Sequence, residues 1–272
     1  MPELPEVEAF KSIVSQCLNK KITKIDILDS RVIKKISTTT FKKNLISYHF
    51  TSVERKGKYL IIATTSDKKL IMHFGLTGFV VLSKSDQDVR FSCVNFSFSN
   101  KKVLHWADVR KFGRLYLVDG VDDIQGIKNL GPDALALSLK EFQQLTANNQ
   151  RKNIKAFLMD QSDIAGIGNE YADEMLFQAG IDPHHKIKDL SAAAIKHMYQ
   201  EMKKIFKYAI GIRKKDISKG EQVTMQNVHG FKSSYLQAHR HTDGKCPKNP
   251  DHNLKKVTIA GRSTYYCPKD QK

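Results

Sequence analysis

No uninterrupted apolar run in this chain is long enough to cross a bilayer, which argues against a helical membrane span. The start, MPELPEVEAF, carries acids where a secretory signal is basic and then apolar, which reads against such a signal. The expectation is an intracellular chain, in the cytoplasm or nucleoid of a prokaryote or in a nucleus if the source is eukaryotic or viral. Cysteine is scarce, four in 272 residues. Cys17 and Cys93 stand isolated in apolar segments and read as core, whereas Cys246 and Cys267 lie close to the C-terminus and read as ligands. Acid is short as well: 28 Asp and Glu against 45 Lys and Arg leave a formal net charge of +17, spread along the chain rather than held in one tail. Such an excess favours a polyanionic partner, although charge alone describes a basic solvated surface equally well.

The length exceeds one ordinary domain, and two are the starting expectation. No internal repeat is evident. Residues 5–19 read as a helix, with Pro5 near its start and Val7, Phe10, Ile13, Val14, Cys17 and Leu18 at helical spacing. From Ile22 to about Val118 the pattern becomes short β-type runs, among them ITKIDIL, KYLIIAT, FVVLS, FSCVNFSF, KVLHWA and RLYLV, which predicts a sandwich or barrel. Gly, Asp and Pro in DGVDDIQGIKNLGPDA mark a boundary near 120–133. Helices are predicted at about 138–148, 151–160, 169–179 and 191–211, the last with an apolar stripe of Ile195, Met198, Met202, Ile205, Phe206, Ala209 and Ile210 that core packing explains. Residues 213–234 are polar, basic and aperiodic, which predicts a loop.

The sharpest chemistry sits at the N-terminus. A small residue at position 2 permits removal of Met1 and leaves the amine of Pro2, a secondary amine able to attack a sugar C1′ and form an iminium. An α-amino group titrates roughly two to three units below a Lys side chain, so a useful fraction is unprotonated at pH 7. Glu3 could shuttle protons beside it, and Glu6 lies one helical turn on. Taken alone, Pro2 and Pro5 are helix-entry residues and the acids are helix N-terminal charges. Further along, Gly166 and Gly168 permit a tight turn, Asn169 can cap the helix that follows, and exposed amides at that helix start suit a phosphate. By itself this is a Gly-containing helical hairpin.

MPELPEVE, RKGKYL, IMHFGLTG, DVRKFG and LMDQSDIAGIGNEYADEML, in this order and through nearly the whole chain, resemble the formamidopyrimidine-DNA glycosylase and endonuclease VIII family. The resemblance implies an α+β protein: an N-terminal catalytic β-sandwich with its starting helix (1–125), a helical helix–two-turns–helix domain (134–234) and a zinc-finger-like β-hairpin (235–272), with DNA in the cleft between. It implies Pro2 as nucleophile, Glu3 as proton carrier, Lys58 on the phosphate flanking the lesion, and Glu6 in base recognition and proton transfer. His73, Lys155, Gly168, Asn169 and Arg262 become DNA contacts, although Ala156 stands where many relatives have proline. Leu76, Arg110 and Phe112 become the group that fills the gap left by an extruded base, Leu76 replacing a usual Met. Extrusion costs a few kcal/mol, which an apolar wedge and a stacked ring offset in part. Read alone, Leu76 and Phe112 are sandwich core.

The C-terminal CPKNPDHNLKKVTIAGRSTYYCPKDQK resembles the family's zinc-finger hairpin but lacks its two CxxC pairs, with Asn249 and Asp270 at the second positions. Cys246, His252, Cys267 and Asp270 become the ligands of one structural zinc, the alternative being a hairpin that holds no metal and keeps the two cysteines as a remnant, and His239, Arg240 and His241 read as basic surface. The expected partner is double-stranded DNA carrying oxidised bases or abasic sites, bound by a monomer. The PELPEVE start resembles the branch acting on oxidised purines such as 8-oxoguanine and formamidopyrimidines, which implies those substrates, with β- and δ-elimination. Oxidised pyrimidines, or a non-catalytic DNA- or RNA-binding protein on the same scaffold, remain as alternatives.

Overall fold

Short strands build the first half of the chain, some with alternating burial, as at Tyr59–Thr64, and others buried nearly throughout, as at Lys102–Asp108. The computed structural model describes residues 1–84, 87–218 and 244–272, with backbone alone for 216–218. They divide into two compact units, Met1–Asn129 with the helical residues from Ile210 onward, and Leu130–Ala209 with the C-terminal segment from Gly244.

The first unit opens with helix α1 (Leu4–Ser15), followed by strand β1 (Ile22–Ile27), the short β2 (Ile33–Lys34) and helix α2 (Thr38–Lys43). Seven strands follow: β3 (Phe50–Lys56), β4 (Tyr59–Thr64), β5 (Lys69–His73), β6 (Gly78–Lys84), β7 (Ser92–Phe98), β8 (Lys102–Asp108) and β9 (Arg114–Val118), then a short helix α3 (Gln125–Lys128). They form one sheet in the order β1-β7-β8-β6 and another in the order β2-β9-β5-β4-β3. One continuous core draws on both sheets, with Ile25, Phe96, Leu104 and Trp106 from the first and Leu60, Ile62, Met72 and Leu115 from the second. This is the expected sandwich, and the α+β class holds. Helix α1 buries Val7, Phe10, Ile13 and Val14 in that core, its Phe10 ring 4.7 Å from Phe74. Cys17 and Cys93 are buried there as expected, and burial pushes the Cys17 thiol up to about 12.

The second unit holds helices α4 (Leu139–Asn148), α5 (Ile154–Met159), α6 (Asn169–Ala179) and most of α7 (Ala192–Ser218), and the hairpin of β10 (Lys255–Ile259) and β11 (Arg262–Tyr266). Ser138 caps α4 through a reciprocal pair with Glu141. Gly180, at φ +68°, ends α6 in the left-handed conformation. On α7, Met198, Met202 and Phe206 are fully buried, as the stripe predicted. The helix nevertheless continues to Ser218, past the predicted loop start at 213. The stretch carries no apolar stripe, but Arg213 is an anchor that apolar periodicity does not register. Residues 219–234 of that predicted loop, and His239, Arg240 and His241, lie outside the described residues. Among the described residues no helix is long and apolar enough to cross a membrane.

Candidate active site and nucleic-acid interface

Glu3 stands in extended conformation just before α1, and Pro5 sits in the first turn, where a missing N–H leaves no bond unmade. The Glu6 carboxylate turns back and accepts the Glu3 N–H at 3.0 Å. Pro2, Glu3 and Glu6 are all buried, the two acids 2 % and 3 % exposed. Buried carboxylates so close in sequence require counter-charge. Arg213 of α7 supplies some, its Nε 3.4 Å from Glu6 Oε1.

A second arginine works on the next turn. Arg55, at the end of β3, donates from Nε to Glu8 of α1 at 2.8 Å and from Nη1 to the Gly57 carbonyl at 3.0 Å. The turn that carries Lys58 is therefore tied to α1, and the Lys58 side chain is itself largely buried. His73 lies opposite Tyr59 in the β4–β5 ladder, with their rings 4.6 Å apart. Burial first, and then the charges of Lys58 and Arg114, depress the His73 imidazole to about 4. It is neutral at pH 7, a hydrogen-bonding group rather than a cation.

Leu76, Arg110 and Phe112 come together on two touching loops. Gly75, at φ +56°, is where they meet: a Cβ there would lie 2.6 Å from the Phe112 carbonyl carbon and the Gly113 nitrogen. Only glycine allows both that backbone angle and that approach. The fully buried carboxylate of Asp108 organises the pair of loops, accepting the Gly113 N–H at 2.7 Å, the Arg110 N–H at 3.2 Å and the Thr77 hydroxyl. Thr77 in turn accepts the Arg110 N–H at 2.9 Å. The Arg110 guanidinium lies 4.9 Å from the Phe112 ring centroid, and that ring is 51 % exposed. Read in isolation Phe112 was core; in the structure it is an exposed aromatic held under a cation, and Leu76 is half-buried. Asp108 and Thr77 escaped sequence reading, although an Asp just ahead of a loop is a known backbone organiser.

In the second unit, Gly166 takes φ +110°, the one turn position before α6 that demands glycine. Gln161 wraps this turn: its Oε1 accepts the Gly166 N–H at 3.0 Å and its Nε2 donates to the Ile167 carbonyl at 2.7 Å. Asn169 does not cap α6 as predicted. Gly168 occupies the cap position, and Asn169, the first helical residue, donates from Nδ2 to the Ser263 carbonyl of β11 at 3.0 Å. Lys155 is not at a surface where a phosphate could reach it: it is 0 % exposed, with Nζ 2.5 Å from Asp173 and 2.5 Å from the Thr264 hydroxyl. The sequence pattern identified a lysine but not the acid one helix away that encloses it. Arg262 is exposed beside the two-residue turn of Ala260 and Gly261, both at positive φ, the geometry favoured in tight hairpins.

Three of the four predicted metal ligands, Cys246, Cys267 and Asp270, gather at the base of that hairpin, with His252 beside them. Asp270 Oδ2 lies 3.1 Å from Cys246 Sγ, 3.0 Å from Cys267 Sγ and 3.0 Å from His252 Nδ1, and the last two are 3.9 Å apart. Cys246, Cys267 and Asp270 thus bring two sulfurs and an oxygen within 4.8 Å of one another, a donor set that zinc takes, and His252, beside Asp270 and Cys267, would be the fourth donor. Burial and the Asp270 carboxylate push the Cys246 thiol up to about 11, whereas hydrogen bonds from Cys267, His252 and Cys246 hold Asp270 well below the usual carboxylate range. The base is seated on the end of α6: Lys248 donates to the Phe177 carbonyl at 2.8 Å, and Gln271 bridges the Cys267 N–H and the Ile181 carbonyl, each at 2.8 Å.

Comparison with known proteins bears on the same two units. Residues 1–115 match the family model of the formamidopyrimidine-DNA glycosylase N-terminal domain, and residues 130–220 match that of the formamidopyrimidine-DNA glycosylase H2TH domain. A formamidopyrimidine-DNA glycosylase of Pelotomaculum thermopropionicum is 35 % identical over 100 % of this chain and 99 % of its own, and one of Moorella thermoacetica is 34 % identical over 91 % and 92 %. The Lactococcus lactis Fpg in complex with DNA containing an abasic site is 30 % identical, with a TM-score of 0.84 over the whole of both chains. The same bacterium's enzyme with N7-benzyl-Fapy-dG DNA gives 28 % and 0.84, again over the whole of both chains.

Proposed function

The chain belongs to the formamidopyrimidine-DNA glycosylase family and is a DNA-repair glycosylase, and from that premise we propose a bifunctional enzyme that excises oxidised purines through an iminium on Pro2 and then cleaves the abasic strand. The observation that carries this reading is the buried N-terminus, where Pro2 and Glu3 lead directly into α1 and Glu6 folds back on the Glu3 amide. With Met1 removed, the Pro2 nitrogen bonds to C1′ as the bond from C1′ to the damaged base breaks. The base leaves with that electron pair and takes up a proton, with Glu6 assigned to base recognition and this transfer. Glu3 protonates O4′ as the sugar ring opens, leaving a C1′ iminium. The iminium acidifies C2′–H, loss of that proton expels the 3′-phosphate, and a second elimination expels the 5′-phosphate. Water then hydrolyses the iminium and frees Pro2.

Lys58 is assigned the phosphate flanking the lesion, with His73, Gly168, Asn169 and Arg262 on the remaining backbone. Leu76, Arg110 and Phe112 fill the vacated stack; a half-buried leucine beside an exposed ring under a guanidinium suits a wedge better than a core. Zinc, where bound by Cys246, His252, Cys267 and Asp270, contributes folding energy to the finger. The enzyme acts as a monomer on double-stranded DNA. Formamidopyrimidines and 8-oxoguanine are the preferred bases, supported by the PELPEVE start and by the Fapy-dG complex of the Lactococcus lactis relative.

Borohydride reduction tests the nucleophile. The chain should become covalently linked to an abasic duplex, and Pro2→Gly, or retention of Met1, should cut the linked fraction by roughly tenfold or more. Unchanged trapping removes Pro2 from its role. A panel of single-lesion duplexes tests the base: release of 5-hydroxyuracil or thymine glycol without 8-oxoguanine would overturn the purine preference.

A further inference from the structure

A two-stranded ribbon leaves half of its backbone groups without a partner strand, and in this protein side chains complete one edge. The tight turn at Ala260 and Gly261 makes Ile259 and Arg262 a facing pair, so Arg262, Thr264 and Tyr266 turn their backbone groups toward β10. Ser263 and Tyr265 turn theirs away. The outward Ser263 carbonyl accepts both Asn169 Nδ2 at 3.0 Å and Lys155 Nζ at 3.3 Å, filling its two lone pairs. The outward Tyr265 N–H donates to Asp173 Oδ2 at 3.3 Å. Lys155 and Asp173 are themselves paired at 2.5 Å with no exposed side-chain surface. Lys155 also donates to the Thr264 hydroxyl, which donates onward to the Arg262 carbonyl at 3.3 Å.

We propose that Lys155 and Asp173 are positioning residues that fasten the hairpin to α5 and α6 and thereby aim Arg262 at the DNA backbone. Lys155 acts through Thr264 and Ser263, without touching a phosphate. The charge pair is buried where its loss strands an ion, and its three hydrogen-bonded neighbours on β11 are the consecutive residues Ser263, Thr264 and Tyr265. That register holds Arg262 in place from the strand behind it.

The proposal rests on the assignment of Arg262 to DNA, and a double-mutant cycle separates the two. Affinity for a duplex with a stable abasic analogue is measured for Arg262→Ala, Lys155→Met and the double variant. Each single change is expected to weaken binding about tenfold, and the double variant no further, because both remove the same contact. Additive losses would mean that Lys155 binds DNA on its own account, and would overturn the proposal. No loss in Arg262→Ala alone would sink the assignment of Arg262 and leave the fastening role to the second measurement, amide hydrogen exchange. In the unsubstituted protein the Tyr265 amide, on an open ribbon edge, should exchange at least a hundredfold more slowly than an unprotected amide, and Asp173→Ala should abolish the difference. Fast exchange of Tyr265 in the unsubstituted protein overturns the fastening role, whatever the variants do.

Discussion

His73 makes stability depend on pH in a direction that follows from its surroundings. Folded, the imidazole is held at about 4 by burial, Lys58 and Arg114; unfolded, it titrates at about 6.5. Between these values the unfolded chain takes up a proton that the folded chain refuses. The contribution of His73 is complete above about 6.5 and is lost as pH falls toward 4. Urea unfolding midpoints at pH 7 and pH 5 should therefore differ more for the unsubstituted protein than for His73→Gln. Equal differences would remove His73 as a source of the acid sensitivity. The residue type and its place were legible in IMHFGLTG, but its neutrality was not, because Lys58 comes from the turn before β4 and Arg114 from β9. The same holds for Asp108 and Arg213, whose importance lies in which loop or carboxylate they meet.

The hairpin is held by two kinds of anchor. At its base Cys246, Cys267 and Asp270 gather with His252 beside them; farther along, Lys155 and Asp173 hold the outer edge. Purified protein is expected to carry one equivalent of zinc, absent from Cys246→Ser, and chelation should lower the melting temperature, since the metal binds the folded ligands as a set. A metal-free protein whose melting temperature ignores added zinc would dismiss the site. Strands with a clean alternation, such as KYLIIAT and the later part of FSCVNFSF, were legible in sequence because burial on one face writes itself as period two. The short α2 and β2 were not anticipated, being too brief to show a period. Helix α7 outran its predicted end because an ion pair, not an apolar stripe, anchors its last turns.

At the scale of the whole molecule, the excess of 45 basic over 28 acidic residues sets how the protein meets DNA. Each phosphate neutralised releases counterions, so log affinity should fall by roughly 0.9 for every such contact per tenfold rise in salt. Several assigned contacts predict a steep fall for any duplex, with or without a lesion, measured by anisotropy between low and physiological salt. A nearly flat dependence would contradict a backbone-led interface. The order of local motifs along the chain was enough, without coordinates and through the family resemblance they carry, to point to the α+β class, the family and the chemical candidates Pro2, Glu3 and Lys58. These are properties of short segments, where spacing and residue type already carry the physics. Only the tertiary structure decided that Phe112 is exposed, that Lys155 is enclosed, and that Asn169 serves the hairpin rather than a helix cap. Burial and charge pairing join residues a hundred positions apart, and no local pattern records which of them will meet.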